Sequence, residues 1–331
     1  MPFYTNHNEQ EDPFRIITHA IIKKKLPHAL LFTGSEGIGK SFYAKQLAMI
    51  CNCSDIQTGN NDLNIFPCYE CRSCRKIQSK NHPDVLYVEP TGMNILIDQV
   101  RSIRSMLQMR PFEAKTRVII INHAEKMNSE AANALLKILE EPPNQTLLIL
   151  IAPDKEDLLE TITSRCQQIR FWPIPSHELM ETLIQKCRLS IDTAHAIAEL
   201  AEGSLTEAEI YCTPKQLKER QWLIQELYHI KDWSYGHLLA ISKKIANHKD
   251  SLPLYLCIIN SWLRDLIFYQ YCPEKLINKD YIPFIHNYKK LSSKQFLLQI
   301  DAVQLCQKQM LRANRNLVVE VMLMRIYQLN Q

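Results

Sequence analysis

The chain has 331 residues, of which 46% are hydrophobic and 22% charged, with 39 Lys+Arg against 35 Asp+Glu for a net charge of +4. That balance excludes wholesale disorder, collagen-like and low-complexity chains, and it points to about two or three domains. No apolar run approaches the roughly 20 residues of a membrane span, and the polar, acidic first 14 residues lack the basic start and apolar core of a secretory signal. The expectation is a cytoplasmic chain with no membrane partner.

In chain order, short β-rich runs at 29–33, 85–88, 117–121, 147–151 and 168–171 alternate with helical spacing at 40–52, 97–109 and 129–141, where Pro142-Pro143 stops the last helix. Strand alternating with helix predicts a mostly parallel sheet with helices on both faces. A further helical run at 156–162 precedes the last strand. Past Trp172-Pro173-Ile174-Pro175 the strand signal disappears, and helical periods follow at 176–187, 191–200, 214–229, 252–269, 294–307 and 317–328. The two-proline hinge reads as a domain boundary. Gly203-Ser204, with a polar stretch to about Pro214, reads as a second, weaker one.

Gly34-Ser35-Glu36-Gly37-Ile38-Gly39-Lys40-Ser41 fits the phosphate-loop pattern G-x4-G-K-[ST], between an apolar strand and a helical run. Glycines let successive backbone N–H groups turn toward one anion at the positive end of a helix. In such a loop Lys40 lies against the β- and γ-phosphates and Ser41 ligates Mg²⁺. The bland alternative is a Gly-rich turn followed by a chance Lys-Ser, and the flanking elements weigh against it. Hydrolysis further requires a metal-organising acid at the end of a nearby strand. After 117–121 the sequence instead reads Asn122-His123-Ala124-Glu125, with Glu125 expected as an exposed helix-start residue.

Of 11 cysteines, Cys51, Cys53, Cys68, Cys71 and Cys74 crowd into 24 positions. Two overlapping C-x2-C steps put Cys68, Cys71 and Cys74 on a tight turn entering a helix, and Cys53 or Cys51 closes a tetrahedron. Four thiolates suit structural Zn²⁺ with no open position, and an iron–sulfur cluster is the rival reading. The intervening loop is polar, so metal binding is expected to supply its fold. Ser164-Arg165-Cys166 precedes the last strand. Taken alone, Arg165 reads as a surface or cap arginine. Arg72, Arg75, Lys76 and Lys80 are compatible with a zinc-dependent DNA-binding module, although a solvated helix face is the commoner explanation.

Together these motifs resemble the delta-prime family of bacterial DNA polymerase III clamp-loader subunits, within the AAA+ class. The residues that carry the resemblance are Leu26 through Gly34, the cysteine set, His82-Pro83-Asp84, Glu130 through Lys137 with Leu139-Glu140-Glu141-Pro142-Pro143, and Ser164-Arg165-Cys166. They cover 26–171; the rest matches only in length and helical character.

The resemblance implies an α/β P-loop (AAA+) domain with a parallel sheet at 1–171 and an inserted zinc module at about 51–80. A small helical lid at 172–209 and an all-α collar at 210–331 would follow. It implies structural Zn²⁺ on Cys53, Cys68, Cys71 and Cys74, since the family's first ligand falls thirteen residues after the loop lysine. Gly34, Gly37, Gly39, Lys40 and Ser41 would hold ATP/Mg²⁺ that is bound but not hydrolysed. Arg165, with Ser164 and Cys166, would act as an arginine finger toward the ATP of an adjacent motor subunit. The implied partners are gamma/tau motor subunits and delta in a heteropentameric ring, with the sliding clamp and primer-template DNA engaged through the assembly. Asn122-His123, Ala152-Pro153 and Glu207 stand where catalytic or nucleotide-sensing residues are expected, so the expected role is a non-catalytic stator. The alternative is a self-sufficient P-loop ATPase acting on DNA.

Overall fold

A computed structural model describes residues 13–23, 25–58, 65–248, 251–288, 292–310 and 313–330. The chain divides into two units, Met1–Pro173 and Ile174–Gln331.

The first unit runs α1 (Pro13–Ile22), β1 (Ala29–Thr33), α2 (Lys40–Asn52), β2 (Gln57–Thr58), β3 (Ile65–Phe66), α3 (Arg72–Gln78), β4 (Val85–Val88), α4 (Ile97–Leu107), β5 (Arg117–Ile121), α5 (Ser129–Glu140), β6 (Thr146–Ala152), α6 (Glu160–Thr163) and β7 (Gln167–Arg170). Five strands pair side by side in the order β4-β5-β6-β1-β7, all parallel, while β2 and β3 form a separate antiparallel pair.

Alternation along each strand splits the core. Leu30, Phe32, Val118, Ile120, Leu147 and Ile149 face α2, while Leu31, Ile119, Ile121, Leu148 and Leu150 face α4 and α5. Covering on both faces is why these strands read as unbroken apolar runs. The Asn128 side chain caps α5 by accepting from Ala131 N at 2.8 Å. Ala131, Leu135, Ile138 and Leu139 recur at helical spacing and are buried against the second face.

At the β4 edge, Asp84 and Arg117 are buried together. Asp84 accepts from the backbone N–H groups of Phe112, Glu113 and Ala114 at 2.8–2.9 Å and from Arg117 Nη2 at 3.2 Å. Arg117 Nη1 donates to the carbonyls of Met106 and Met109, and Nη2 also donates to that of Arg110. These bonds hold the Asp84 carboxyl below its ordinary range although burial pushes the other way.

The second unit is helical: α7 (Ser176–Cys187), α8 (Ile191–Leu200), α9 (Leu205–Tyr211), α10 (Pro214–Tyr228), α11 (Tyr235–Asn247), α12 (Leu252–Tyr271), α13 (Ile282–Asn287), α14 (Ser293–Gln309) and α15 (Arg315–Asn330). α7 and α8 pack as a pair, α15 lies against α11 and α14, and α12 packs on α10 and α14. A buried polar network ties α10 and α12 to the segment after α12. Arg220 donates to Asn278 Oδ1 at 2.7 Å and to Asp280 Oδ2 at 2.6 Å, and Asn278 Nδ2 donates to Asp265 Oδ2 at 2.8 Å.

Two expectations are corrected. The run 156–162 forms only the single turn α6 at its end, because Ile162 is its one fully buried residue. The polar stretch after Gly203-Ser204, read from the sequence without an element, is helical: α9 occupies it, started by Ser204 Oγ accepting from Glu207 N at 3.2 Å and anchored by buried Ala208 and Tyr211.

Candidate functional site

The loop between β1 and α2 is shaped by close approach. A Cβ on Gly34 would meet Phe171 O at 2.4 Å, and Gly34, Gly37 and Gly39 all have positive φ, of 136°, 78° and 95°. Beneath the loop, the Phe171 ring packs on Phe32 and Tyr43 with centroids 4.9 and 5.5 Å apart. A cavity of about 730 Å³ opens beside it at the carboxyl ends of β1, β6 and β7, lined by Gly34, Ser35, Gln168, Arg170 and Trp172 among others. That is the end of a parallel sheet where ligands bind.

Lys40 starts α2 and is buried, with Nζ donating to Gly34 O and to Ser35 O. Burial lowers its pKa, opposed by the carboxylates of Glu36 and Glu125. Its ammonium therefore spans the mouth of its own loop, where carbonyls take the place of phosphate oxygens. Loop shape, helix N-terminus and lysine together fit a nucleotide triphosphate.

Ser41 Oγ donates to Asn122 Oδ1 at 2.9 Å, and Asn122 Nδ2 donates to Glu89 Oε1 at 2.7 Å. Glu89 escapes a reading of the sequence that looks for the acid only after β5. The register pairing Val88 with Ile121 sets Glu89 next to Asn122, and that adjacency is the signal that would have found it. Glu125 also departs from expectation. It lies in the 3-10 turn Ala124–Lys126, but its side chain is only 16% exposed and Oε1 is 3.2 Å from His123 Nδ1. It is not the exposed helix-start residue the sequence suggests, because the turn folds it back toward the phosphate loop. His123, at φ 52°, makes that reversal.

The far end of α2 leads to the cysteines. Cys53, Cys68, Cys71 and Cys74 bring their sulfurs within 4.8 Å of one another, and Cys51 is outside the group. Cys53 Sγ is 3.4 Å from Cys68 Sγ, and Cys68 Sγ is 4.0 Å from Cys74 Sγ. A tetrahedron of ~2.3 Å Zn–S bonds has edges of about 3.8 Å, so the set fits a zinc ion. Backbone N–H groups of Cys68, Cys71 and Cys74 point at sulfurs of Cys53, Cys68 and Cys71 at 3.3–3.5 Å, the arrangement that steadies thiolates. Cys51, partly buried against the apolar core, has its thiol pushed up to about 12 by burial. The four basic residues of this module are partly spoken for: Lys76 and Arg72 pair with Glu113 at 2.5 and 3.6 Å, and Lys80 lies over the Tyr87 ring.

Arg165 lies elsewhere. It precedes β7, which runs parallel to β1, so it sits at the amino edge of the sheet while Lys40 follows the carboxyl edge. A five-residue strand separates these edges by about 16 Å. Arg165 Nη2 donates to Glu140 Oε1 at 2.9 Å and Nη1 to Thr161 O at 2.9 Å, with the side chain 37% exposed. Ala152 ends β6, Pro153 O accepts from Gly34 N at 2.9 Å, and Glu207 Oε2 accepts from Tyr211 OH at 3.1 Å.

A parallel sheet with a phosphate loop after β1, fourth in the strand order, and a thiolate module between α2 and β4 defines an α/β P-loop fold. Residues 9–175 match the family described as DNA polymerase III, delta subunit, and residues 214–328 match its C-terminal family. The chain is 30% identical over 309 residues to DNA polymerase III subunit delta' of Bacillus subtilis (strain 168), covering 91% of each. It is 29% identical to subunit delta' of Yersinia pestis over 88% of this chain and 86% of that one. The chain therefore belongs to the DNA polymerase III delta-subunit family.

DNA polymerase III subunit tau of Bacillus subtilis (strain 168) is 31% identical over 60% of this chain and 35% of its own length. A gamma subunit-related protein of DNA polymerase III from Thermotoga maritima shares the fold, with a TM-score of 0.52 at 20% identity over 97% of this chain and 100% of that one.

Proposed function

We propose that this chain is the non-catalytic stator of a bacterial DNA polymerase III clamp loader, of the delta-prime type. Its partners are gamma/tau motor subunits and delta in a heteropentameric ring that loads the sliding clamp onto primer-template DNA in the cytoplasm. Residues 1–171 act as the P-loop domain, 172–209 as a lid and 210–331 as the oligomerising collar. Cys53, Cys68, Cys71 and Cys74 hold structural Zn²⁺. Gly34, Gly37, Gly39, Lys40 and Ser41 hold ATP with Mg²⁺, which this chain does not cleave.

The observation that carries the reading is the position of Arg165. A guanidinium at the sheet edge away from its own phosphate loop is out of reach of a nucleotide held there, which supports a role toward a nucleotide bound by a neighbour, where it would stabilise charge on the transferred phosphoryl group. Asn122-His123 after β5 supports the stator role, since neither residue offers a carboxylate to organise metal and water. Membership of the delta-subunit family supports the complex.

The test is reconstitution with gamma/tau, delta, clamp and primed DNA, with ATP hydrolysis as the readout. The expected results are no turnover by the chain alone, DNA-dependent turnover when assembled, and a marked loss with Arg165→Ala. Unchanged assembled turnover in that variant overturns the finger. Glu89 and Glu125 near the loop favour the second reading, a self-sufficient ATPase; it requires steady turnover by the isolated chain that Lys40→Ala abolishes.

A further inference from the structure

Asn122 stands where a metal-organising acid is expected, and its amide is held at both ends. Nδ2 donates to Glu89 Oε1 at 2.7 Å, and Oδ1 accepts from Ser41 Oγ at 2.9 Å. A carboxylate has only acceptor atoms, so a flipped Asn122 would set oxygen against oxygen at Glu89. Glu89 thus decides which atom of Asn122 faces Ser41, namely the carbonyl oxygen. Its own position is fixed in turn: Glu89 O accepts from Gln99 Nε2 at 2.8 Å, and Asn122 N donates to Val88 O at 3.0 Å.

We propose that Glu89 is a positioning residue for Mg²⁺–nucleotide binding: it turns Asn122 Oδ1 toward Ser41 and stands one amide behind it as an anionic charge, beside those of Glu36 and Glu125. Mg²⁺ takes hard oxygen ligands, and it is bound by few protein groups beside phosphates and waters. Ser41 hydroxyl and Asn122 carbonyl are both neutral, so the carboxylate joined to them by hydrogen bonds is that of Glu89, just past the end of the adjacent strand. A carboxylate set back by one amide attracts the cation without entering its ligand shell. That division separates holding Mg²⁺–ATP from organising its cleavage. The inference rests on the reading that the loop holds ATP.

The experiment measures the Kd of ATP for the isolated full chain by calorimetry, with Mg²⁺ and with EDTA. The readout is the ratio of the two constants. In the unmodified chain Mg²⁺ is expected to tighten binding. Glu89→Ala removes both orientation and charge, and Glu89→Gln keeps an acceptor oxygen for Asn122 but removes the charge. Both are expected to cut the ratio, Glu89→Ala by about tenfold, the scale of one hydrogen bond to a charged group.

Asn122→Asp alone opposes two carboxylates, while Asn122→Asp with Glu89→Gln moves the charge onto the inner position and is expected to raise the ratio above that of the unmodified chain. An unchanged ratio in either Glu89 variant overturns the assignment, and so does a double variant no better than Asn122→Asp. A chain that binds ATP in neither condition, and no differently from Lys40→Ala, refutes the nucleotide reading itself, which is a separate failure.

Discussion

Arg165 is bound to Glu140 by an ion pair of 2.9 Å that joins the turn before β7 to the last residue of α5. Both side chains are well exposed, at 37% and 51%, so water screens the pair. Removing it with Glu140→Gln is expected to change the stability of the isolated chain by less than about 1 kcal/mol, measured by urea unfolding. In the reconstituted loader Arg165→Lys is expected to behave like Arg165→Ala, because a lysine has one compact charge and no planar fork. Full turnover with lysine would mean that any cation suffices at this edge.

The sulfur cluster predicts selective metal loss. Purified protein is expected to carry about one zinc per chain. Cys53→Ser and Cys71→Ser lose it, and Cys51→Ser, outside the group, retains it. Chelation is expected to expose the segment around β2 and β3 to protease while the parallel sheet stays folded, because among the described residues of 54–67 only Ile65 and Pro67 are buried. Zinc retained in Cys53→Ser would place the fourth ligand elsewhere.

Asp84 predicts an acid limit. Its folded pKa lies below the ordinary 3.8, so the stabilisation is complete above that value and is lost as pH falls through the folded one. Asp84→Asn is expected to flatten this acid slope. Asp84→Ala leaves the buried Arg117 guanidinium without its counter-charge and is expected to cost on the order of 3 kcal/mol. Stability of both variants against pH, followed by thermal melting, decides; an acid slope surviving in Asp84→Asn assigns the limit to another carboxylate.

Gly34 and Gly92 separate two costs of a side chain. At Gly92, φ is 73° and nothing lies within 4 Å of an added Cβ, so Gly92→Ala is expected to cost about 1 kcal/mol for backbone strain alone. At Gly34 the strain is joined by the 2.4 Å approach to Phe171 O, so Gly34→Ala is expected to cost several-fold more, about 3 kcal/mol or above, and to weaken ATP binding. Equal costs at the two positions would mean that the loop relaxes freely.

The central strands were legible because a parallel strand covered on both faces cannot hide its apolar run, as 117–121 and 147–151 illustrate. The helices starting at Lys40, Ser176 and Ile191 begin where the sequence places them, the first after the phosphate loop, the second after the proline pair and the third by its helical spacing. Missed were α1, α9, α11 and α13. Of these, α9 and α13 are seven and six residues long, too short for a period to accumulate, and α13 and α1 begin beside prolines that read as breakers. α11 was passed over because Gly236 and two lysines interrupt its stripe. At the site, Lys40, Ser41 and Asn122 could be read from one local motif and one strand end. Glu89 could not, because its neighbourhood exists only once β4 and β5 are laid side by side.

The short edge strand β7 is tied down at both extremities: the Arg165 turn opens it, and past its end Phe171 N bonds Thr33 O at 2.7 Å while Phe171 O crowds Gly34. A single residue inserted into or deleted from those four would shift the guanidinium and the seat of the phosphate loop at one stroke. On the proposed reading this segment serves the molecule as a fixed-length spacer between what it receives and what it gives.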